Sequence, residues 1–324
     1  MFDIAAVGEL LIDFTPESAP GALPVLYSQN PGGAPGNVLA AAAALGAKTA
    51  LISRVGDDAF GRFLIDAVQR QGIDASGVGR DRHAPTTLAF VHLDADGDRS
   101  FSFYRDPGAD LLLRPEHIPA GTLSQSHIFH FGGVSMTGGS ARSATLHALN
   151  LARQAGCLIS YDPNWRPSLW PDVREAARVM AGPLDQVDIL KVSEEELPLL
   201  SGCDDLEAGS KALADRGVTL VLVSRGPKGA FYRLGNLCGS LPTYEVKSID
   251  TTGAGDAFLG AVLWQLRQID RAALKELKQA ELEEIVDFAN AAGSLATTRK
   301  GALAVMPTRA EIDACRRSIP KKES

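Results

Sequence analysis

The chain has 324 residues, 45% of them hydrophobic, and a formal net charge of −7. This length suits one α/β core with a small excursion, and the apolar content is ample for that core. The acidic balance excludes a general nucleic-acid-binding protein, because the one basic block is a short tail with Arg316, Arg317, Lys321 and Lys322.

The four cysteines lie far apart and form no CxxC pair, which excludes a zinc site and a disulfide framework and favours a reducing compartment. The first strand is preceded by no basic leader with an apolar signal core, and no apolar run reaches about 18 residues. The sequence therefore predicts a soluble cytoplasmic protein with no membrane partner.

Apolar strands alternate with helical stretches along most of the chain. The predicted elements are strand 4–7, a helix from Asn37, strand 49–53, helix 59–71, and strands 128–131, 157–161, 189–192 and 220–223. This rhythm predicts a mostly parallel sheet between two layers of helices.

One section breaks the alternation. Residues 88–93 and 100–104 are rich in strand-forming side chains, and the acidic residues 94–98 between them predict the turn of a hairpin. Such a hairpin need not join the parallel sheet, and an ordinary surface hairpin is the alternative interpretation.

An early glycine-rich segment reads Pro31-Gly-Gly-Ala-Pro-Gly-Asn37 and leads into an alanine-rich helix. Gly32 and Gly33 allow a ligand to approach the backbone closely, while Asn37 offers donors and an acceptor to hydroxyl groups. The alternative is an ordinary loop of glycine and proline that caps a helix.

A second motif, Asp250-Thr-Thr-Gly-Ala-Gly-Asp-Ala-Phe258, opens a helix whose apolar residues follow at helical spacing. The amides of Gly253, Ala254 and Gly255 would form an anion hole at that N-terminus, where a transferring phosphate would be stabilised. Asp256 is then placed to take the proton of an attacking hydroxyl. It could equally be a first-turn acid that favours the helix dipole.

Together the two motifs resemble those of the ribokinase or PfkB sugar kinase family, and further segments resemble its fructokinase branch. These segments are Gly8-Glu-Leu-Leu-Ile-Asp-Phe14, Arg54-Val-Gly-Asp-Asp58, Thr87-Leu-Ala-Phe90, Phe103-Tyr-Arg105, Ala109-Asp-Leu-Leu112 and Tyr161-Asp-Pro-Asn164.

The resemblance implies a ribokinase-like three-layer α/β/α core in a single domain over residues 1–324. A small β-sheet lid at about 12–30 and 86–107 would cover the sugar and join two chains in a homodimer. The implied reaction is ATP-dependent phosphorylation of D-fructose to fructose 6-phosphate. The implied sugar contacts are Asp13, Gly33, Asn37, Arg105 and Arg166.

For the nucleotide, the resemblance implies contacts with Ser224, Gly226 and Asn290. The stretch that corresponds to the family's Asn-x-x-Glu element for Mg²⁺ is read as Lys191-Val-Ser-Glu194. Lys191 would then meet the phosphates, and Glu194 would act on Mg²⁺ through water. The alternative for Glu194 is an acid in the first turn of a helix.

Many relatives hold a monovalent cation beside the anion hole. The resemblance carries that K⁺ site to Asp250 and Thr252, together with the loop at residues 298–302.

Two rival functions stay open. In 2-keto-3-deoxygluconate kinases, arginines in settings comparable to Arg105 and Arg166 meet a sugar carboxylate, for which a guanidinium is well suited. A non-catalytic sugar-sensing protein of the same fold would typically lose the base or the glycines, which this chain keeps.

Overall fold

The computed structural model describes residues 1–18, 23–93 and 99–323, so the predicted turn at 94–98 lies outside the described residues. The strands are β1 (Phe2–Val7), β2 (Leu11–Pro16), β3 (Tyr27–Gly32), β4 (Thr49–Gly56), β5 (Ile73–Asp81), β6 (Leu88–Leu93), β7 (Arg99–Tyr104), β8 (Ser126–Gly132), β9 (Leu158–Asp162), β10 (Ile189–Ser193), β11 (Leu220–Ser224), β12 (Ala230–Leu234) and β13 (Leu237–Leu241).

Helices connect most of these strands. They are α1 (Ala34–Ala44), α2 (Ala59–Arg70), α3 (Ala120–Ser124), α4 (Gly139–Gln154), α5 (Val173–Met180), α6 (Leu197–Ser201), α7 (Leu206–Asp215), α8 (Ala254–Leu266), α9 (Arg271–Lys275), α10 (Gln279–Ala296) and α11 (Arg309–Ser318).

Within the described ranges, nine strands form the large sheet in the order β13-β12-β11-β10-β9-β8-β1-β4-β5. From β11 to β5 every neighbouring pair is parallel, whereas β12 and β13 add an antiparallel hairpin at one edge. This arrangement confirms the predicted α/β core with a mostly parallel sheet.

Both faces of the large sheet are buried. In β1, Ile4 and Ala6 pack into the core on the side of α1 and α8, while Ala5 and Val7 pack into the core on the side of α4. A strand covered on both faces needs apolar side chains at successive positions, which is why the central strands read as continuous apolar runs.

The close packing of α1 on α8 fixes the relation between the two glycine-rich motifs. A Cβ atom at Gly260 would lie 2.5 Å from the Ala41 Cβ and 2.6 Å from the Val38 carbonyl oxygen. Only a residue without a side chain allows the two helices to come this near.

Four strands form a separate sheet in the order β3-β2-β6-β7. Here β2 and β6 are parallel, and the two outer pairs are antiparallel. Phe14 stacks on Phe90 at 4.9 Å between ring centroids and meets Phe60 of α2 edge-on at 5.9 Å, which ties this sheet to the core. The predicted small sheet is therefore present, built from the two predicted segments.

In the part of the chain that the structure describes, none of the helices is both long enough and apolar enough to span a bilayer.

Candidate active site

A cleft of about 440 Å³ opens at the carboxyl ends of β1, β9, β10 and β11. This is the edge of a parallel sheet where ligands bind in open α/β folds. Its lining comes from the core and from the small sheet and comprises Glu9, Leu11, Asp13, Gly33, Ala34, Asn37, Phe101, Phe103, Val134, Asn164, Trp165, Arg166, Lys191, Ser193, Glu195, Glu196, Ser224, Thr251, Thr252, Gly253, Gly255 and Asp256.

Asp256 lies in the first turn of α8 and is joined directly to α1. The Asn37 Nδ2 group donates a hydrogen bond to Asp256 Oδ2 at 2.8 Å. Burial, followed by the negative charge of Asp162, raises the pKa of Asp256 to about 6, against the opposing effects of the Asn37 hydrogen bond and of Lys191. A carboxyl group with this pKa is largely ionised at neutral pH and can accept a proton there.

The turn before α8 requires glycine. Gly253 has φ 76°, in the left-handed region, and a Cβ there would lie 2.8 Å from the Ala302 Cβ. Gly253 and Gly255 line the cleft, whereas the Ala254 amide donates to the Thr251 carbonyl at 3.2 Å. Of the three predicted anion-hole residues, the two glycines reach the cleft, and the Ala254 amide is engaged in the turn.

Lys191 brings a buried positive charge against this turn. Its Nζ lies 2.9 Å from Asp162 Oδ2, and a Cβ added at Gly255 would lie only 3.1 Å from that Nζ. Burial acts to lower the pKa of Lys191, but the carboxylates of Asp162 and Glu196 outweigh it and raise the pKa above its ordinary value. Lys191 is therefore a permanent cation beside the predicted anion hole.

Asp13 lies in β2 of the small sheet and faces the cleft. A Cβ at Gly32 would lie 2.1 Å from Asp13 Oδ2, so the neighbouring strand must carry glycine there. Burial raises the pKa of Asp13 to about 7, with Arg166 opposing the rise and Asp256 adding to it. The structure thus brings Asp13, Gly33 and Asn37 together in one cleft, and their contact with a sugar stays a prediction.

Glu9 was not singled out from the sequence, yet it lines the cleft and is 3% exposed. Its Oε1 accepts the amide of Ala34 at 3.0 Å, at the first residue of α1. Burial raises the pKa of Glu9 to about 7. The signal that could have found it is an acidic residue directly after a buried parallel strand.

The two arginines have different surroundings. Arg166 lines the cleft, and its guanidinium lies 5.7 Å from the centre of the Phe101 ring in the small sheet. Arg105 is buried, with Nε donating to Asp110 Oδ2 at 2.8 Å and a terminal nitrogen donating to Thr137 Oγ1 at 2.8 Å. The guanidinium of Arg105 pairs with Asp110 and does not line the cleft, and its sugar contact stays a prediction.

The predicted magnesium acid also needs correction. Glu194 does not line the cleft, because its carboxylate pairs with Arg225 and Lys228, each at 3.3 Å. Glu196 does line it, and its two oxygens accept the backbone amides of Trp165 at 2.6 Å and Ser193 at 2.7 Å. The acid presented to the cleft lies two positions later than predicted. A Ser-x-x-Glu capping pattern beginning at Ser193 could have indicated it.

Of the three residues predicted to contact the nucleotide, one lines the cleft and two lie outside its lining. Ser224 lines the cleft at the end of β11, whereas Gly226, with φ 54°, opens the short turn that follows and lies outside the lining. Asn290 is 4% exposed, and its Nδ2 donates to the carbonyl groups of Leu241 and Pro242 at 3.1 and 3.2 Å. The amide of Asn290 ties α10 to the end of β13, and its contact with the nucleotide stays a prediction.

Asp250 connects the two segments predicted to hold a monovalent cation. Its Oδ1 accepts the Thr252 amide at 2.8 Å, and its Oδ2 accepts the Gly301 amide at 3.1 Å. The start of the motif therefore lies against the loop at 298–302, with Thr252 in the cleft lining.

Among residues 1–18, 23–93 and 99–323, no group of three or more His, Cys, Asp or Glu side chains could hold a metal ion unaided. Glu196, with its neighbour Glu195, is suited to a hydrated metal ion that is carried mainly by the phosphates of a nucleotide, since Mg²⁺ commonly keeps several waters.

Known proteins match the chain over nearly its whole length. A family model described as pfkB family carbohydrate kinase matches residues 1–309. Fructokinase-1 of Oryza sativa subsp. japonica is 43% identical over 312 residues, which cover 95% of this chain and 96% of the rice protein.

Two solved structures have a similar fold and a related sequence. The ATP-bound fructokinase from Xylella fastidiosa superposes with a TM-score of 0.90 at 36% identity and covers 98% of this chain and 99% of its own. The second is a double mutant of the fructokinase from Vibrio cholerae O395, with fructose, ADP and a potassium ion bound. It superposes with a TM-score of 0.87 at 34% identity and covers 96% of this chain and 97% of its own. The chain belongs to the pfkB family of carbohydrate kinases.

Proposed function

We propose that this chain transfers the γ-phosphoryl group of ATP to the 6-hydroxyl of D-fructose. The observation that carries the proposal is the hydrogen bond from Asn37 to Asp256. It joins the predicted sugar site to the predicted base, beside two cleft-lining glycines and a buried lysine. The fructokinases at 34–43% identity support fructose as the acceptor.

In the proposed reaction, Asp256 accepts the proton of the 6-hydroxyl as that oxygen attacks the γ-phosphorus. The bond between the γ-phosphorus and the β–γ bridging oxygen breaks, and ADP leaves with that oxygen. The Asn37 amide holds the Asp256 carboxylate in position, and Asp13 holds the sugar. The amides of Gly253 and Gly255, together with the Lys191 ammonium, stabilise the negative charge on the transferred group. Positioning and fixed charge supply the catalysis, as is general for phosphoryl transfer.

Glu196 is the residue that we propose to hold Mg²⁺ through water. When bound, the ion would neutralise charge on the nucleotide phosphates. The residues around Asp250 and the loop at 298–302 are the proposed K⁺ site, as the potassium-bound relative suggests.

We further propose a homodimer that forms through the small sheet. The side chains of Leu26, Tyr27 and Tyr104 are 61%, 38% and 67% exposed there, and contiguous apolar exposure is typical of an interaction surface. The proposed compartment is the cytoplasm, with which the free thiols of the four cysteines agree.

A kinase for 2-keto-3-deoxygluconate is the second candidate, and the cleft-lining guanidinium of Arg166 is the observation that favours it. The commitment of Arg105 to Asp110 weakens this candidate, because only one of the two arginines is presented to a substrate carboxylate. A coupled assay that compares the two substrates with ATP and Mg²⁺ separates the candidates.

The Asp256→Asn variant tests the proposed base. We expect kcat to fall by about 10²- to 10⁴-fold, because the amide cannot accept the proton, while ATP and fructose still bind. Steady-state kinetics and calorimetric titration measure the two quantities. Turnover near the wild-type rate would reject Asp256 as the base.

A further inference from the structure

Two buried oxygen atoms in the cleft lack a hydrogen-bond partner among the described residues. They are Glu9 Oε2 and Asn37 Oδ1. An acceptor that is buried without a donor destabilises a protein, so such atoms are uncommon unless something else supplies the donor. Both residues line the cleft, where a bound sugar would present hydroxyl groups.

The Glu9 carboxylate is anchored through one of its two oxygens. Its Oε1 accepts the Ala34 amide at 3.0 Å, at the first residue of α1. This hydrogen bond leaves Oε2 as the oxygen without a partner among the described residues.

Arg105 does not satisfy Oε2 either. Its charge acts on Glu9, but its guanidinium donates its hydrogen bonds to Asp110, Thr137 and the Val134 carbonyl. What remains is a buried acceptor without a partner, on a residue that lines the cleft.

We propose that Glu9 is a specificity-determining residue that accepts a hydrogen bond, through Oε2, from a hydroxyl of the ketose other than the one that Asp256 deprotonates. This inference rests on the proposed function. A site built to pair with a substrate hydroxyl discriminates strongly against an analogue that lacks it, because the protein group is then left unpaired.

The experiment compares D-fructose with its 1-deoxy, 3-deoxy and 4-deoxy analogues. In the wild-type enzyme, we expect one analogue to lose about 10- to 100-fold in kcat/KM, the effect of removing a partner from a charged hydrogen bond. In Glu9→Met, which keeps the length of the side chain and removes both oxygens, fructose and that analogue should become equivalent. The KM for ATP should not change.

Two variants serve as controls. Glu9→Gln keeps an acceptor for the Ala34 amide, so it should fold as the wild type does and still reduce the penalty of that one analogue. Thr49→Val removes another buried oxygen without a partner, which lies in β4 and outside the cleft lining, and it should leave every analogue penalty unchanged.

The inference is overturned if all three analogues match fructose in the wild-type enzyme, or if every penalty persists unchanged in both Glu9 variants. Water would then be the partner of Oε2. Failure of the proposed function would give a different result, because the wild-type enzyme would then turn over another sugar but not fructose. The two failures are therefore distinguishable.

Discussion

Asp256 and Asp13 have pKa values that burial raises to about 6 and about 7. Each group takes up a proton at a pH where an exposed aspartic acid is ionised. Both therefore titrate within the range in which a sugar kinase is ordinarily assayed.

The pH profile of the reaction should follow these two values. Because the base acts in its ionised form, kcat/KM for fructose should fall by about tenfold per unit as pH drops below 6. Asp13 and Glu9 both have a pKa of about 7, so Asp13→Asn should remove only the contribution of Asp13 to a second limb near that pH. Asn37→Ala should move the Asp256 limb to higher pH, because the Asn37 hydrogen bond lowers that pKa. Initial rates from pH 5 to 8 measure this, and a flat profile would contradict it.

Glu194 and Glu196 form a matched pair for testing the proposed metal contact. Glu196→Gln should raise the half-saturating Mg²⁺ concentration and lower kcat/KM for ATP by about 10- to 100-fold, the usual effect of an outer metal contact. Glu194→Gln removes only ion pairs at the surface and should stay within about threefold of the wild type. Equal effects of the two variants would reject the assignment to Glu196.

Candidate residues could be predicted from the sequence, but their side-chain partners could not. Asn37 and Asp256 each follow a glycine-rich motif that marks a turn of the backbone, whereas Asp13 was indicated by the resemblance to the family. Arg105 and Asn290 carry the same signal whether they contact a ligand or another part of the chain, and here Asp110 and two carbonyl groups are their partners. In the run Glu194-Glu195-Glu196, the residues that line the cleft are the second and third, and which ones do so depends on where the turn begins.

At the scale of elements, the packing of α1 on α8 determines the geometry of the site. Gly260→Ala should push the helices apart, destabilise the protein by about 1–3 kcal/mol and lower kcat, because Asn37 and Asp256 are carried on the two helices. Thermal unfolding and steady-state kinetics measure the two effects.

Gly121→Ala is the control for this substitution. Gly121 lies in α3, and no atom would lie within 4 Å of an added Cβ. The change should leave kcat unaltered and stabilise the protein by a few tenths to about 1 kcal/mol, since alanine is the better helix former. A Gly260→Ala enzyme with wild-type activity and stability would contradict the role given to this packing.

Six strands of the large sheet, β1, β4, β8, β9, β10 and β11, could be predicted to within a few residues because they are buried on both faces. The predicted strands 128–131 and 220–223 became β8 (Ser126–Gly132) and β11 (Leu220–Ser224). The two edge strands, β5 and β13, were not predicted, since edge strands carry mixed side chains. The buried strand β12 was not predicted either. Strand order likewise depends on contacts between distant residues, which local patterns do not encode.

For the whole molecule, the proposed dimer makes a prediction that does not depend on catalysis. Leu26→Asp places a charge in the exposed apolar surface of the small sheet and should convert the dimer to a monomer. Val173→Asp, at a 55% exposed position in α5, should leave assembly unchanged. Analytical ultracentrifugation measures the mass, and a wild-type monomer would refute the proposal.

The hydrogen bond between Asn37 and Asp256 joins residues that are 219 positions apart. A ribosome therefore finishes the small sheet and α1 long before it makes the aspartate that completes the site. Until α8 emerges, the side of α1 that packs against α8 has no cover and is open to chaperones or to other nascent chains. Incomplete translation products that lack α8 contain the proposed sugar contacts but no base, so they cannot consume ATP on a bound sugar.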